Sequence, residues 1–217
     1  IEAVTYDDKE AIIMDLFAGS STTAHAVMQA NSQDNGNRKF IMIQLPEAYD
    51  ESTDAYKKGY RYITETGKER IRLAGKKFTS NSDIGFRVFK LADSNMKDVF
   101  YAPAEYDQNL LSILESNIKE DRTDLDLLFG CLLEWGLPLS MSYTSEVISD
   151  CTVHTYNDGD LISCFDENIP DEVVKTIAKR QPLRAVFRDA SFDGSPAKIN
   201  VTEVFKLLAP DTRVKVI

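Results

Sequence analysis

The chain has 217 residues, 43% hydrophobic and 28% charged, enough for one large domain or a domain and a half with a real core. No apolar run approaches the ~20 residues that span a membrane, and the acidic opening IEAVTYDDKE is no signal peptide. A net charge of −10 argues against a free-standing nucleic-acid binder, which carries a basic surface. Three scattered cysteines, Cys131, Cys151 and Cys164, fit neither a zinc spacing nor a disulfide framework, so no metal site is expected and a reducing cytoplasm is.

Ile1 to Thr5 reads as the tail of a helix already under way, which predicts a piece of a longer chain. A polar turn, Tyr6 to Glu10, leads into a strand over Ala11–Leu16. Asp15 closes its apolar run, and Phe17 precedes a turn of small residues, Ala18-Gly19-Ser20-Ser21. Thr22-Thr23 then open an apolar-periodic helix to about Ala30. Gly19 lets the backbone turn sharply and lets a ligand approach without a Cβ in the way. Ser20, Ser21 and Thr22 are candidate caps, and the free N–H groups of the helix favour a carboxylate or phosphate. An ordinary strand-to-helix turn of any parallel sheet satisfies the same pattern.

Asn31 to Asn37 is loop by composition. The continuous apolar run Lys39–Leu45 reads as a second, buried parallel strand. Strand, helix and strand make a right-handed βαβ unit, as at the start of a nucleotide-binding α/β fold. In such folds an acid near the end of the second strand accepts hydrogen bonds from ribose hydroxyls. Gln44 stands at that place, and Glu47 follows Pro46. Either the Glu47 carboxylate or the Gln44 amide serves there, unless Glu47 is a solvated loop acid.

Glu51 to Phe78 is polar and helical in its second part. Between Lys57 and Lys77 eight basic residues face only Glu65 and Glu69, a net +6 that leaves −16 for the rest of the chain. Most such runs are solvated faces, but this is the one plausible basic surface for DNA phosphates or an acidic partner. Gly85–Leu91 reads as a strand closing a first domain, residues 1–95. Asn95 to Tyr106, with Pro103, is a linker. In the second domain, residues 96–217, helices are expected over Tyr106–Ile118, Leu125–Trp135, Pro170–Lys179 and Val201–Leu208. Strands are expected over Glu146–Tyr156, Asp160–Phe165, Leu183–Arg188 and Arg213–Ile217, with Asn157-Asp158-Gly159 as a hairpin signal. That order predicts a small α/β domain with a mixed sheet.

The wording is more specific than the pattern. DLFAGSSTTAHAV resembles motif I of the amino-methylating DNA methyltransferases, D-x-F-x-G-S-G-T-T, and is similar to the modification subunits of type III restriction–modification systems, where T-A-H-A-V commonly follows. Ser21 departs from the pattern, which has a second glycine there. FIMIQ matches the F-I-G-I-E run of many such enzymes, with Gln44 in place of the acid, and type III modification subunits read Q-L-P-E as this chain does. GFRVFKL with Ser94-Asn95, and the C-terminal text from CFDENIP to VKVI, resemble the same subunits, so the likeness covers nearly the whole chain.

The resemblance implies a partial Rossmann-like S-adenosylmethionine (AdoMet) methyltransferase sheet followed by a small α/β assembly domain. Its cofactor-binding residues fall on Asp15, Phe17, Ala18, Gly19, Ser20, Ser21, Thr22, Thr23, Gln44 and Glu47. It also implies DNA, a restriction helicase subunit and a second modification subunit as partners. The enzymes it resembles hold the target amine with an Asp/Asn-Pro-Pro-Tyr/Phe motif, and the aromatic ring stacks on the flipped base. All seven prolines here are isolated. The catalytic motif and target-recognition region precede motif I in this family's circular order, so no catalytic residue is expected in this chain and it is expected to be inactive alone.

Other chemistries fit less well. His25 in the first helix and His154 in a strand lack a nucleophile partner at recognisable spacing. Asp166-Glu167 and Asp189 are acids at strand ends, where turn and capping roles are commoner than metal binding. A non-enzymatic assembly module with a vestigial nucleotide site is the alternative, favoured by Ser21 and Gln44. A dinucleotide oxidoreductase ranks third, because G-x-G-x-x-G is absent.

Overall fold

Alternation of side chains along two short strands sets the first layer of the molecule. β1 (Ile12–Asp15) and β2 (Lys39–Met42) pair in parallel, Ile13 opposite Phe40 and Asp15 opposite Met42, and α1 (Thr22–Asp34) connects them. The computed structural model describes residues 1, 3–78, 83–97, 117–192 and 194–217, which divide into two compact units, Ile1–Val88 and Phe89–Ile217. Asn95 and Met96, on either side of the boundary expected from sequence, both fall in the second.

In the first unit, Phe40 and Met42 pack on Ala24 and Met28 of α1 and on Ile71 and Ala74 of α3 (Ile63–Lys77). A short helix, α2 (Asp54–Lys57), precedes α3. The other sheet face is uncovered among the described residues. Ile12 and Met14 of β1 with Leu16 just beyond it, and Ile41 of β2 with Ile43 and Leu45 just beyond it, are 42–70% exposed. The continuous apolar run of β2 is therefore half-buried on one face and exposed on the other, against the expected buried strand.

Three local expectations are corrected here. Ile1 to Thr5 is a hydrogen-bonded turn rather than a helix end, with the Val4 and Thr5 N–H groups both donating to the Ile1 carbonyl. α1 runs four residues beyond Ala30, into the polar stretch expected to be loop. Asn31 is buried there, and its side chain exchanges two hydrogen bonds with the Arg38 backbone, at 2.9 and 3.0 Å. A buried amide so satisfied holds the extra turn against the low helix propensity of Asn, Ser and Asp. Arg38 adds a paired contact to Asp34, 2.9 and 2.8 Å, and Asn35 ends the helix at φ +52. Gly85–Leu91 forms no strand. Ile84 instead lies over Gly75 of α3, and Phe86 joins the α1–α3 core beneath the Arg72 guanidinium.

The second unit is a mixed α/β layer structure with a five-stranded mixed sheet, β3-β4-β5-β6-β7. β3 (Tyr143–Ile148), β4 (Cys151–Tyr156) and β5 (Leu161–Cys164) are antiparallel. β6 (Arg184–Phe187) and β7 (Arg213–Val216) add in parallel. The expected strand Glu146–Tyr156 is two strands, because Ser149 and Asp150 take φ +47 and +66 and make the two-residue turn that matches strand twist. Helices α5 (Asp171–Lys179) and α6 (Gly194–Leu208) cover one face through Val173, Ile177, Val201 and Phe205 against Val153, Ile162 and Phe187.

Helix α4 (Asp124–Glu134) covers the other face, with Leu128 and Leu132 on Tyr156, Leu161 and Val186. Thr123 and Asp126 close its N-terminus as a reciprocal cap, and Gly136 at φ +64 ends it. Trp135, Leu137 and Leu139 pack into this core, while Leu133 faces solvent. Most of the expected helix Tyr106–Ile118, and Pro103, lie outside the described residues. Ile118 itself forms a β-bridge with Met96, so Asn95–Lys97 is tied down rather than a free linker.

Candidate functional site

The turn after β1 is built by hydrogen bonds that its own sequence supplies. The Asp15 carboxylate accepts the Phe17 N–H at 3.1 Å and the Thr23 hydroxyl at 2.5 Å, so one acid spans the turn from strand to helix. The Ala18 N–H donates to the Ile43 carbonyl, and the Ser21 N–H to the Ala18 carbonyl. Gly19 stands at φ +52, and a Cβ built there meets nothing within 4 Å. Its glycine is therefore required by backbone conformation, and the space before it is open.

Ser21 also takes a left-handed conformation, φ +59, and it is buried. It thus adopts the backbone a glycine would have, at a cost of ~1–2 kcal/mol for a residue with a Cβ. Its side chain makes no capping hydrogen bond, contrary to its candidacy as a cap. The Oγ points at α3, where a Cβ on Gly67 would lie 2.6 Å away. The first turn of α1 carries no acid. Its leading N–H groups, which have no intrahelical acceptor, are left for solvent or a ligand.

Gln44 reaches back across the strand ends. Its Oε1 accepts the Gly19 N–H at 2.7 Å, and its Nε2 donates to the Leu45 carbonyl at 3.1 Å. An acid at this position would accept the same N–H but could not donate, which is a physical reason for the amide. Glu47 is exposed and its carboxylate has no partner among the described residues, while its carbonyl accepts the Ile63 N–H. Ser20 and Thr23 are half-buried, Thr22 is exposed, and Phe17 is 88% exposed beside the turn. The structure thus brings Asp15, Ala18, Gly19, Thr23 and Gln44 together by hydrogen bonds, with Ser21 beneath them. Glu47 is joined to that network only through the chain.

A groove of about 370 Å³ lies elsewhere in this unit, lined by His25, Tyr60, Arg70, Leu73 and Lys77 among others. It contains none of the turn residues apart from the helix that carries His25. His25 stacks edge-on with Phe78. In the second unit His154 is buried, with Nδ1 2.7 Å from the Ser145 hydroxyl and Nε2 3.4 Å from Asp124, an arrangement that joins β3, β4 and α4. Sequence reading missed one cluster, Cys151, Cys164 and Asp166, whose ligand atoms lie within 4.8 Å of one another. Strand register brings them together, and no linear spacing signals it.

The first unit is thus an α/β layer presenting a strand, a left-handed glycine turn and an uncapped helix; the second is a mixed sheet with helices on both faces. Comparison with known proteins gives the particular relation. The chain is 45% identical over 201 residues to the Mod subunit of the type III restriction–modification enzyme EcoPI of Escherichia phage P1, an overlap covering 86% of this chain and 30% of that protein. It is 42% identical over 90 residues to the StyLTI Mod subunit of Salmonella typhimurium, covering 39% of this chain and 14% of that one. It is 39% identical over 69 residues to the type II methyltransferase M.KpnI of Klebsiella pneumoniae, covering 32% and 16%. No protein-family model matches. The chain is a homologue of type III Mod subunits and spans less than a third of the length of these relatives.

Proposed function

We propose that this chain carries the AdoMet-binding segment and the C-terminal part of a site-specific adenine-N6 DNA methyltransferase of a type III restriction–modification system. The observation that carries the reading is the turn Asp15–Thr23. Its left-handed Gly19 leaves open space, its helix N-terminus is uncapped, and Asp15 and Gln44 fix its shape from both sides. These residues fit the cofactor. Ala18–Ser21 would pass beneath its methionine part, and the α1 N–H groups would meet its carboxylate. Glu47, unpartnered, would serve the ribose. The bound cofactor supplies an activated methyl group; the chain's own residues bind and orient it.

The uncovered apolar sheet face supports the same reading. Parallel strands belong in sheets buried on both faces, and Ile12, Met14, Leu16, Ile41, Ile43 and Leu45 are what further elements of a larger Rossmann-like sheet would cover. No Asp/Asn-Pro-Pro-Tyr/Phe motif occurs in the sequence, so methyl transfer requires residues beyond this chain, and the chain by itself is inactive. The second unit then serves assembly, by self-association or by docking a restriction subunit. The alternative, a module with a vestigial nucleotide site, rests on Gln44, whose amide is already spent on Gly19 and Leu45.

Calorimetry and thermal shift with AdoMet, its demethylated product and NAD separate the readings. Weak binding of the first two and none of NAD is expected, with Gly19→Val abolishing it. No heat and no shift at millimolar AdoMet leaves the vestigial module. Sedimentation of the chain, alone and with a restriction subunit, tests assembly; a monomer that binds neither refutes it.

A further inference from the structure

Unused chemistry converges at one end of the five-stranded sheet. Cys151 opens β4, directly after the exposed Ser149-Asp150 turn, Cys164 closes β5, and Asp166 lies two residues beyond. Val153 pairs with Cys164 in antiparallel register. Side-chain alternation therefore puts Cys151, Cys164 and Asp166 on the same sheet face, the one covered by α5 and α6. Both thiols are buried, Cys164 completely, and Asp166 is half-buried. The carboxylate is held in place: the Thr152 N–H donates to its Oδ2 at 2.6 Å, and Ser191 Oγ donates to the Asp166 carbonyl at 2.6 Å. Cys164 Sγ lies 3.7 Å from that Oδ2. This is the only group of three such donors among the described residues.

We propose that Cys151, Cys164 and Asp166 form a binding site for one thiophilic divalent cation of the zinc or cadmium kind, with water in the fourth position. Two sulphurs and one carboxylate suit zinc, whereas magnesium and calcium take oxygen ligands. Bond lengths of ~2.3 Å to sulphur and ~2.0–2.2 Å to oxygen require the three donors to draw together. A cysteine ligates as its thiolate, whereas the ordinary thiol holds its proton near neutral pH. Binding therefore replaces two thiol protons by one dication, releasing two H⁺ per ion. The ion ties the β3–β4 hairpin to the end of β5, so it stabilises the second unit.

The test uses the full chain, reduced and stripped of metal, titrated with Cd(II) and then Zn(II). A thiolate-to-cadmium ultraviolet band saturating at one ion per chain is expected. Non-denaturing mass spectrometry should show a gain of one metal less two hydrogens. Cys151→Ser and Cys164→Ser each abolish the band. Cys131→Ser keeps it, because that thiol sits on the opposite sheet face among Leu128, Leu132 and Phe165. Asp166→Asn weakens binding by ~10-fold or more, the loss that removing even an outer partner produces. Cadmium NMR of the unsubstituted chain, which needs no variant to fold, must report two sulphur ligands. No band at saturating cadmium, a band that survives both cysteine substitutions, or an oxygen-only cadmium signal overturns the proposal.

Discussion

Gly67→Ala tests how tightly α3 is fitted to the glycine turn. Gly67 lies inside α3 and is buried. In an exposed helix, alanine would gain ~1 kcal/mol over glycine. Here the new Cβ would sit 2.6 Å from Ser21 Oγ, 3.4 Å from the Gly19 carbonyl and 3.5 Å from Ser21 Cβ. The last two are ordinary or slightly tight contacts, so the cost falls on the hydroxyl, which must leave its position inside a buried site. Forcing it off its rotamer costs ~0.5–1.5 kcal/mol, so the single substitution comes out near neutral. Ser21→Gly removes both side-chain atoms, and in that background Gly67→Ala should stabilise by about the full ~1 kcal/mol. The double-mutant cycle therefore predicts a coupling of about 1 kcal/mol between residues on different elements. Urea unfolding followed by amide hydrogen exchange of the α1 and α3 peptides measures all four corners. A coupling below about 0.3 kcal/mol, the scatter expected of independent sites, would refute the idea that α3 fixes the shape of the turn.

The remaining predictions concern the second unit, where the sole tryptophan, Trp135, reports urea unfolding. Phe187→Ala should cost ~3–5 kcal/mol, because the ring is fully buried between Phe192 and Phe205, with centroids 5.5 and 6.0 Å away. A loss comparable to that of a surface substitution would place the core elsewhere. Asp126 is held below the ordinary aspartate value of 3.8, first by the Thr123 N–H and then by the Thr123 hydroxyl. Its stabilisation is complete above that value and is lost as pH falls through its lower folded-state value. Asp126→Asn should therefore flatten the acid limb of stability against pH, and an unchanged limb would exclude the cap as its source. Glu146, lowered by its paired contact with Arg180, gives the same sign, so Glu146→Gln combined with Asp126→Asn should flatten the limb further.

Local grammar carried far in this chain. The strand–turn–helix around Gly19, the helix after Thr123, the helix after Pro170 and the antiparallel return at Asn157-Asp158-Gly159 are each specified by neighbouring residues: a glycine, a cap, a proline, a turn sequence. Such signals act over a few positions, so a sequence displays them directly. The resemblance to type III modification subunits was legible for the same reason, since it rests on contiguous text.

What the sequence could not show depends on residues far apart. Asn31 extends α1 only because Arg38 returns beside it, and GFRVFKL has strand composition but finds α3 rather than a ladder. Ser21 tolerates φ +59 within a turn that Asp15, Thr23 and Gln44 over-determine, whereas its sequence suggested a helix cap in the place of a glycine. Gln44 stood in sequence as an amide at the place of an acid, and only the fold puts the Gly19 N–H on its oxygen. The cysteines, scattered in sequence, meet through the antiparallel register of β4 and β5. Sequence by itself determined the elements and the chemistry each residue can offer, because propensity and capping are short-ranged. Only the tertiary structure decided which donors share a site and which apolar faces are left uncovered, because those depend on packing between elements that no linear spacing encodes.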